Sequence, residues 1–154
     1  MKKIFFILSL FISVASIAQI NLSKHPKSEK EILNAQYCKG LFKSADGTIF
    51  NISNENVSAY FNILDWLEGR VAGLQVFVAR NGIRVPVIRG SAASIFVDEI
   101  QMDPSFLNSL SVNDIGMIKV IKGPFAGAIG NGGGGTIAIY TIKVDDEEEE
   151  EDSQ

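Results

Sequence analysis

From residue 74 onward the apolar residues come in runs of five to eight, and each run is cut by glycine, proline or an Asx residue. Runs of that length, rich in valine, isoleucine and phenylalanine, fit strands better than helices. Residues 74–79, 83–87, 94–100, 117–121 and 136–143 are therefore read as five β-strands. Asn81-Gly82 marks a tight turn between the first two, because both residues tolerate positive φ. Ile83, Val85 and Val87 alternate with Arg84 and Pro86, which gives the second strand one wetter face. Pro86 has no N–H to give, so that strand is expected to have a free edge or a bulge there.

Short helices separate the β runs. Ser28-Glu29-Lys30-Glu31 fits a capping box, with a helix through Ile32, Leu33, Gln36 and Tyr37 that stops near Gly40. Residues 41–52 read as a hairpin around Asp46-Gly47. Asn56 is expected to cap a second helix, whose apolar face is Val57, Phe61, Leu64 and Leu67 and whose end is Gly69. Asp103-Pro104 places an N-cap before a first-turn proline, and Phe106, Leu107 and Leu110 follow as an apolar face. Ser111 caps one more turn before the fourth strand. Strands separated by short helices define an α/β (α+β) single domain around a mixed sheet of about four or five strands.

Hydrophobicity and charge sit at opposite ends of the 154 residues. Lys2 and Lys3 precede an apolar run over residues 4–18 that closes on Ser16-Ile17-Ala18. This is the pattern of a secretory signal peptide, and the run is too short to span a bilayer. Residues 145–152 are eight carboxylates in a row within a chain of net charge −4, so the remainder is close to neutral. A like-charge block repels itself and is expected to be disordered. No basic face suggests nucleic-acid binding. Cys38 is the only cysteine, so no intramolecular disulfide is expected and the thiol is read as a small buried hydrophobe.

Few residues point to chemistry. Residues 130–135 match G-x-G-x-x-G, but a strand follows where a dinucleotide site needs a helix, so a tight turn is the better reading. His25 is the only histidine and lies in a polar stretch, too little for a catalytic triad or a zinc site. Asp98 and Glu99 are adjacent in a strand run, so their side chains are expected on opposite faces and form no catalytic pair. Trp66 is read as core. Neither an enzyme nor a cofactor or metal is expected; the pattern reads as a binding or structural module.

One stretch carries a resemblance. Leu67-Glu68-Gly69-Arg70-Val71-Ala72-Gly73-Leu74-Gln75-Val76 is similar to the opening signature of the plug domain of TonB-dependent outer-membrane receptors, nearest to the SusC-like branch of Bacteroidota. Ile88-Arg89-Gly90 follows in the family's order, then Val97-Asp98-Glu99 where the family has Val-Asp-Gly. Next come Asp114-Ile115, Lys119-Val120-Ile121-Lys122-Gly123-Pro124, the small-residue stretch 126–135 and the strand 137–141. Glu99 is a departure: it puts a charge and a Cβ where the family has a turn glycine. The family's plug is followed by a large barrel, and this sequence is read as a plug without a barrel of its own.

The resemblance implies the following. Residues 57–143 are the plug-like domain, with 19–56 an N-terminal extension; the signal peptide 1–18 and the acidic tail 144–154 are read from the residues themselves. The implied partner is a large outer-membrane β-barrel, with no membrane span in this chain and a location in the periplasm. The setting that fits is the type 9 secretion translocon of Bacteroidota, whose barrel a plug subunit would reversibly occlude against leakage. The alternatives are the plug of another outer-membrane transporter supplied in trans, a periplasmic ligand-binding or signalling module, and a degenerate receptor fragment. Arg70, Arg80, Arg84 and Arg89 either meet acidic groups of a barrel wall or are ordinary solvated surface. Asp145, Asp146, Glu147, Glu148 and Glu149 are candidate contacts for a basic partner surface.

Overall fold

Two apolar clusters lie on the two faces of one five-stranded sheet, and the rest of the chain serves to cover those faces. The computed structural model describes residues 26–129 and 133–142. The leader, His25, part of the glycine run and the acidic tail lie outside the described residues, as do the five tail carboxylates named above.

In chain order the elements are α1 (Glu29–Tyr37), β1 (Thr48–Asn51), α2 (Ile63–Leu67), β2 (Leu74–Val78), β3 (Arg84–Ile88), β4 (Ser91–Ala92), β5 (Ser94–Val97), β6 (Ile100–Met102), β7 (Ile115–Ile121), α3 (Pro124–Ile129) and β8 (Thr136–Thr141). Single 3₁₀ turns occupy Ile52–Asn54, Pro104–Asn108 and Val112–Asp114. The large sheet runs β1-β7-β8-β5-β6, and β2-β3-β4 form a separate small sheet. Only the β5–β8 pairing is parallel among the strand pairs of the described residues; the others are antiparallel. The fold is a mixed α+β domain, as the alternation of strands and short helices requires.

Both faces of the central strands are covered, which is why β7 and β8 read as nearly continuous apolar runs. Ile118, Val120, Ile137, Ile139, Ile95 and Val97 point to one side, against Leu64, Trp66 and Leu67 of α2 and Leu74 and Ile88 of the small sheet. Met117, Ile121, Ala138, Tyr140 and Phe96 point to the other, against Leu33 of α1, Cys38 and Phe42. Each fully buried Ile or Leu contributes about 1.5–3 kcal/mol of transfer free energy. Phe50 packs edge-on to Trp66 at 5.7 Å and Phe42 edge-on to Phe96 at 5.0 Å, one aromatic pair for each face. Cys38 is fully buried in the second cluster.

Five expectations need correction. Residues 41–52 form no local hairpin. Only β1 is a strand, and its partner is β7, with Thr48 opposite Val120. Phe42 is sunk into the second cluster and holds residues 41–44 in a turn. Gly47 is required because a Cβ there would sit 2.8 Å from the carbonyl oxygen of Val120. The second helix starts at Ile63, not after Asn56. Asn62 caps it by accepting from the Leu64 N–H at 3.0 Å, and its amide donates to Leu107 O at 3.1 Å. That anchored asparagine outcompetes helical periodicity upstream, and Phe61 is left 74% exposed.

In β3 the buried residues are Pro86 and Ile88, so the inward face is opposite to the one the alternation suggests. The Pro86 carbonyl accepts from the Ala93 N–H, one residue beyond the two pairs that β4 makes with Val87 and Ile88, so the missing N–H falls at the end of that ladder. The run 94–100 is two strands, β5 and β6, joined by Asp98 and Glu99, both at positive φ (47° and 70°). That is the pattern of a type I′ hairpin turn. The element after Asp103 is a 3₁₀ helix; Asp103 does cap it, accepting from the Ser105 N–H.

Candidate partner surface

Arg84, Arg80 and Arg89 lie on the small sheet or its turns and Arg70 in the turn after α2, and the four are held in two different ways. Arg84, at the start of β3, donates through Nε to both carboxylate oxygens of Asp65 at 2.7 and 2.8 Å. This half-buried pair ties α2 to the small sheet. Arg70 donates to the carbonyl oxygen of Trp66 at 2.7 Å, and its guanidinium lies 4.4 Å from the Trp66 ring centroid. Stacking over tryptophan stabilises a cation by about 0.5–1 kcal/mol at such exposed positions. Both groups are committed within the fold.

Arg80 and Arg89 are exposed, and neither side chain has a hydrogen-bond or ion-pair partner among the described residues. Arg80 is in the turn between β2 and β3, and Arg89, at φ 54°, is in the turn after β3. They lie at opposite ends of a five-residue strand, about 17 Å apart at the usual rise. The four arginines therefore do not form one cluster. Between the two free ones the outer face of the sheet shows Phe77, 55% exposed, and Val78 beside it is 63% exposed. The outer edge of β2 is partly closed by Glu68, which accepts from the Val76 N–H at 2.9 Å, one way of blunting an edge strand.

A second charged arrangement was not anticipated. Glu99 accepts from the N–H groups of Gly40 and Leu41 at 3.0 and 3.1 Å and from the Tyr140 hydroxyl at 3.4 Å. Lys119 donates from Nζ to Asn34 Oδ1 at 2.6 Å and to Phe42 O at 2.7 Å. A carboxylate and an ammonium thus grip the same turn, one by its donors and one by its acceptor. Asp98, the other half of the hairpin turn, accepts from the N–H and hydroxyl of Thr141 at 3.0 and 2.8 Å. The signals in the sequence were a glutamate in place of a turn glycine and a lone lysine inside the apolar run 117–121.

The electrostatics follow from burial. Desolvation pushes the Cys38 thiol up, partly offset by the Tyr140 hydroxyl and the Lys119 charge. Desolvation pulls Lys119 down, opposed by Cys38 and Asp46. Desolvation also drives Tyr140 far up, with Cys38 and Glu99 acting the same way. A thiol held protonated is a poor nucleophile, and the contacts of Glu99 and Lys119 hold the turn at residues 40–42 to the sheet.

No family model matches the chain, and no curated protein matches it. Solved structures do. The RagAB peptide importer in its open-open state is 24% identical with a TM-score of 0.55, over 65% of this chain and 12% of that one. The siderophore receptor PirA from Acinetobacter baumannii is 22% identical with a TM-score of 0.54, over 68% of this chain and 18% of that one. A mutant ferric enterobactin receptor, PfeA, from Pseudomonas aeruginosa is 22% identical with a TM-score of 0.53, over 66% and 18%. The chain spans less than a fifth of the length of each. The likeness is one of fold: this is a plug-like α+β domain, as the motifs of residues 67–141 led one to expect. Among the described residues no helix is long and apolar enough to cross a membrane.

Proposed function

We propose that this chain is a plug that occludes an outer-membrane β-barrel from the periplasmic side, and that the barrel is a wide, protein-translocating one of the type 9 secretion kind. The observation that carries the reading is the agreement between motif order and architecture. The signature at residues 67–76 leads into β2, the Ile88-Arg89-Gly90 triplet closes β3, the block at 114–124 holds β7 and the strand motif 137–141 is β8. A folded domain of this length is roughly 30 Å across, large enough to stop a pore that side chains alone could not close. Reversible closure calls for a polar, modest contact, and Arg80 and Arg89 suit an acidic wall. On this reading the chain blocks and does not catalyse.

The test is deletion in the native host. Loss of the chain is expected to admit large antibiotics that the outer membrane normally excludes, and only while the partner barrel is present. Purification from the native membrane should recover that barrel. Unchanged permeability together with no co-purifying barrel would overturn the reading. Recovery of a nutrient transporter in its place would retain the plug and discard the translocon.

A further inference from the structure

Strand β3 is apolar on both of its sides. Pro86 and Ile88 are buried. Val85 and Val87 alternate with them, point the other way and belong to neither buried cluster. Residues directly opposite in an antiparallel pair share a face, so Phe77 stands beside Val85, with Gln75 and Ala92 on either side of Val87. Phe77 and Ala92 are exposed and the two valines half-buried. One apolar stripe thus crosses all three strands of the small sheet on its outer face. Near-continuous apolar runs belong to strands covered on both faces. Here only the inner face is packed into a core among the described residues. Arg80 and Arg89, both without a partner among the described residues, stand at the two ends of the stripe.

We propose that this outer face docks an amphipathic helix of a partner protein, apolar along its middle and acidic at both ends. The charge follows from the two free guanidinium groups. A second copy of this chain, aligned face to face, would set those cations against each other. The helical form follows from the edge of β2. Gly73 and Ala79 bond across to Arg89 and Ile83, so Leu74, Val76 and Val78 turn their backbone groups to the open edge. The Leu74 N–H is taken by Val71 O and the Val76 N–H by Glu68. An added strand would find two of these three donors occupied, whereas a helix needs only the apolar face. The arginines are about 17 Å apart, a span of about eleven helical residues. The inference extends the plug reading by naming the element through which the partner binds. It rests on that reading only for the partner's source, the barrel or a protein bound to it.

The experiment is an amide-resonance titration of the full chain with two synthetic helical peptides of about fifteen residues, long enough to hold a helix in water. Both carry leucine along one face; one has two glutamates at each end, the other two lysines. The glutamate-ended peptide is expected to give saturable shifts at Phe77, Val85 and Val87, and to bind about tenfold more tightly than the lysine-ended one. Arg80→Glu combined with Arg89→Glu should reverse that preference, and Val85→Asp should abolish binding. Should Val85→Asp fail to fold, Phe77→Ser, at an exposed position, should still weaken the peptide about tenfold. Absence of saturation, or equal binding of the two peptides, overturns the proposal whatever the permeability of a deletion strain. Shifts confined to the amides of Leu74, Val76 and Val78 overturn the helix in favour of an added strand. Shifts of the same face that grow with protein concentration and without peptide overturn it in favour of a second copy.

Discussion

Glu99 is held at φ 70°, a backbone region that costs a residue with a Cβ about 1 kcal/mol. Two backbone N–H groups and a tyrosine hydroxyl converge on its carboxylate. Hydrogen bonds to a charged group are worth about 1.5–3 kcal/mol each when buried, and less for this half-exposed side chain. The bonds outweigh the strain, so Glu99→Gly is expected to lower stability by about 1–2 kcal/mol despite relaxing the backbone. Chemical denaturation checks this, and a gain in stability would mean that the strain dominates. Cys38 gives a second expectation. Its thiol pKa is raised on folding, so the folded state keeps the proton longer than the unfolded chain. The stability this group contributes is complete below the ordinary thiol pKa and is lost as pH rises through the folded value. Burial and the smaller thiolate fraction together should slow disulfide-exchange labelling of the native protein about 100-fold or more relative to the unfolded chain, measured with a chromogenic disulfide at pH 8.

At the level of elements, strands with local signals were legible and those with distant partners were not. The Asn81-Gly82 turn, the Ser28 capping box and the Asp103 cap act within four residues, and each is where the sequence puts it. The face of β3 was misread because Pro86, taken for a solvent residue, is packed inward beside Ile88. The hairpin at residues 41–52 failed because β1 answers to β7, about seventy residues on. Helix α2 was read too long because Asn62 bonds to Leu107 O, a partner that no local window contains. The candidate surface was half legible: composition could not tell Arg84, tied to Asp65, from the free Arg80. Asp65→Ala should cost less than about 1 kcal/mol, since ion pairs this exposed rarely contribute more, and the loss should shrink as salt rises. A thermal-melt series at low and high ionic strength measures it; a loss of several kcal/mol would show that α2 docks mainly through this pair.

For the molecule as a whole, the two apolar clusters have different covers. Trp66, carried by α2, is buried within the larger cluster. Cys38 is part of the N-terminal segment, which Leu33, Phe42 and the grips of Glu99 and Lys119 hold to the sheet. A segment with so few apolar anchors is expected to open below the global transition. In a guanidinium titration Cys38 should become reactive at a lower concentration than that at which Trp66 emission changes; coincident midpoints would make the molecule one cooperative unit. One further consequence lies in the strand order. The last strand among the described residues, β8, is inserted between β7 and β5 in the middle of the large sheet. As the ribosome delivers the chain, β1–β7 on one side and β5–β6 on the other wait with open edges, and neither half has its central neighbour. The five-stranded sheet can close only after residue 141 has been made, and until then each half has an edge that water or another strand must satisfy.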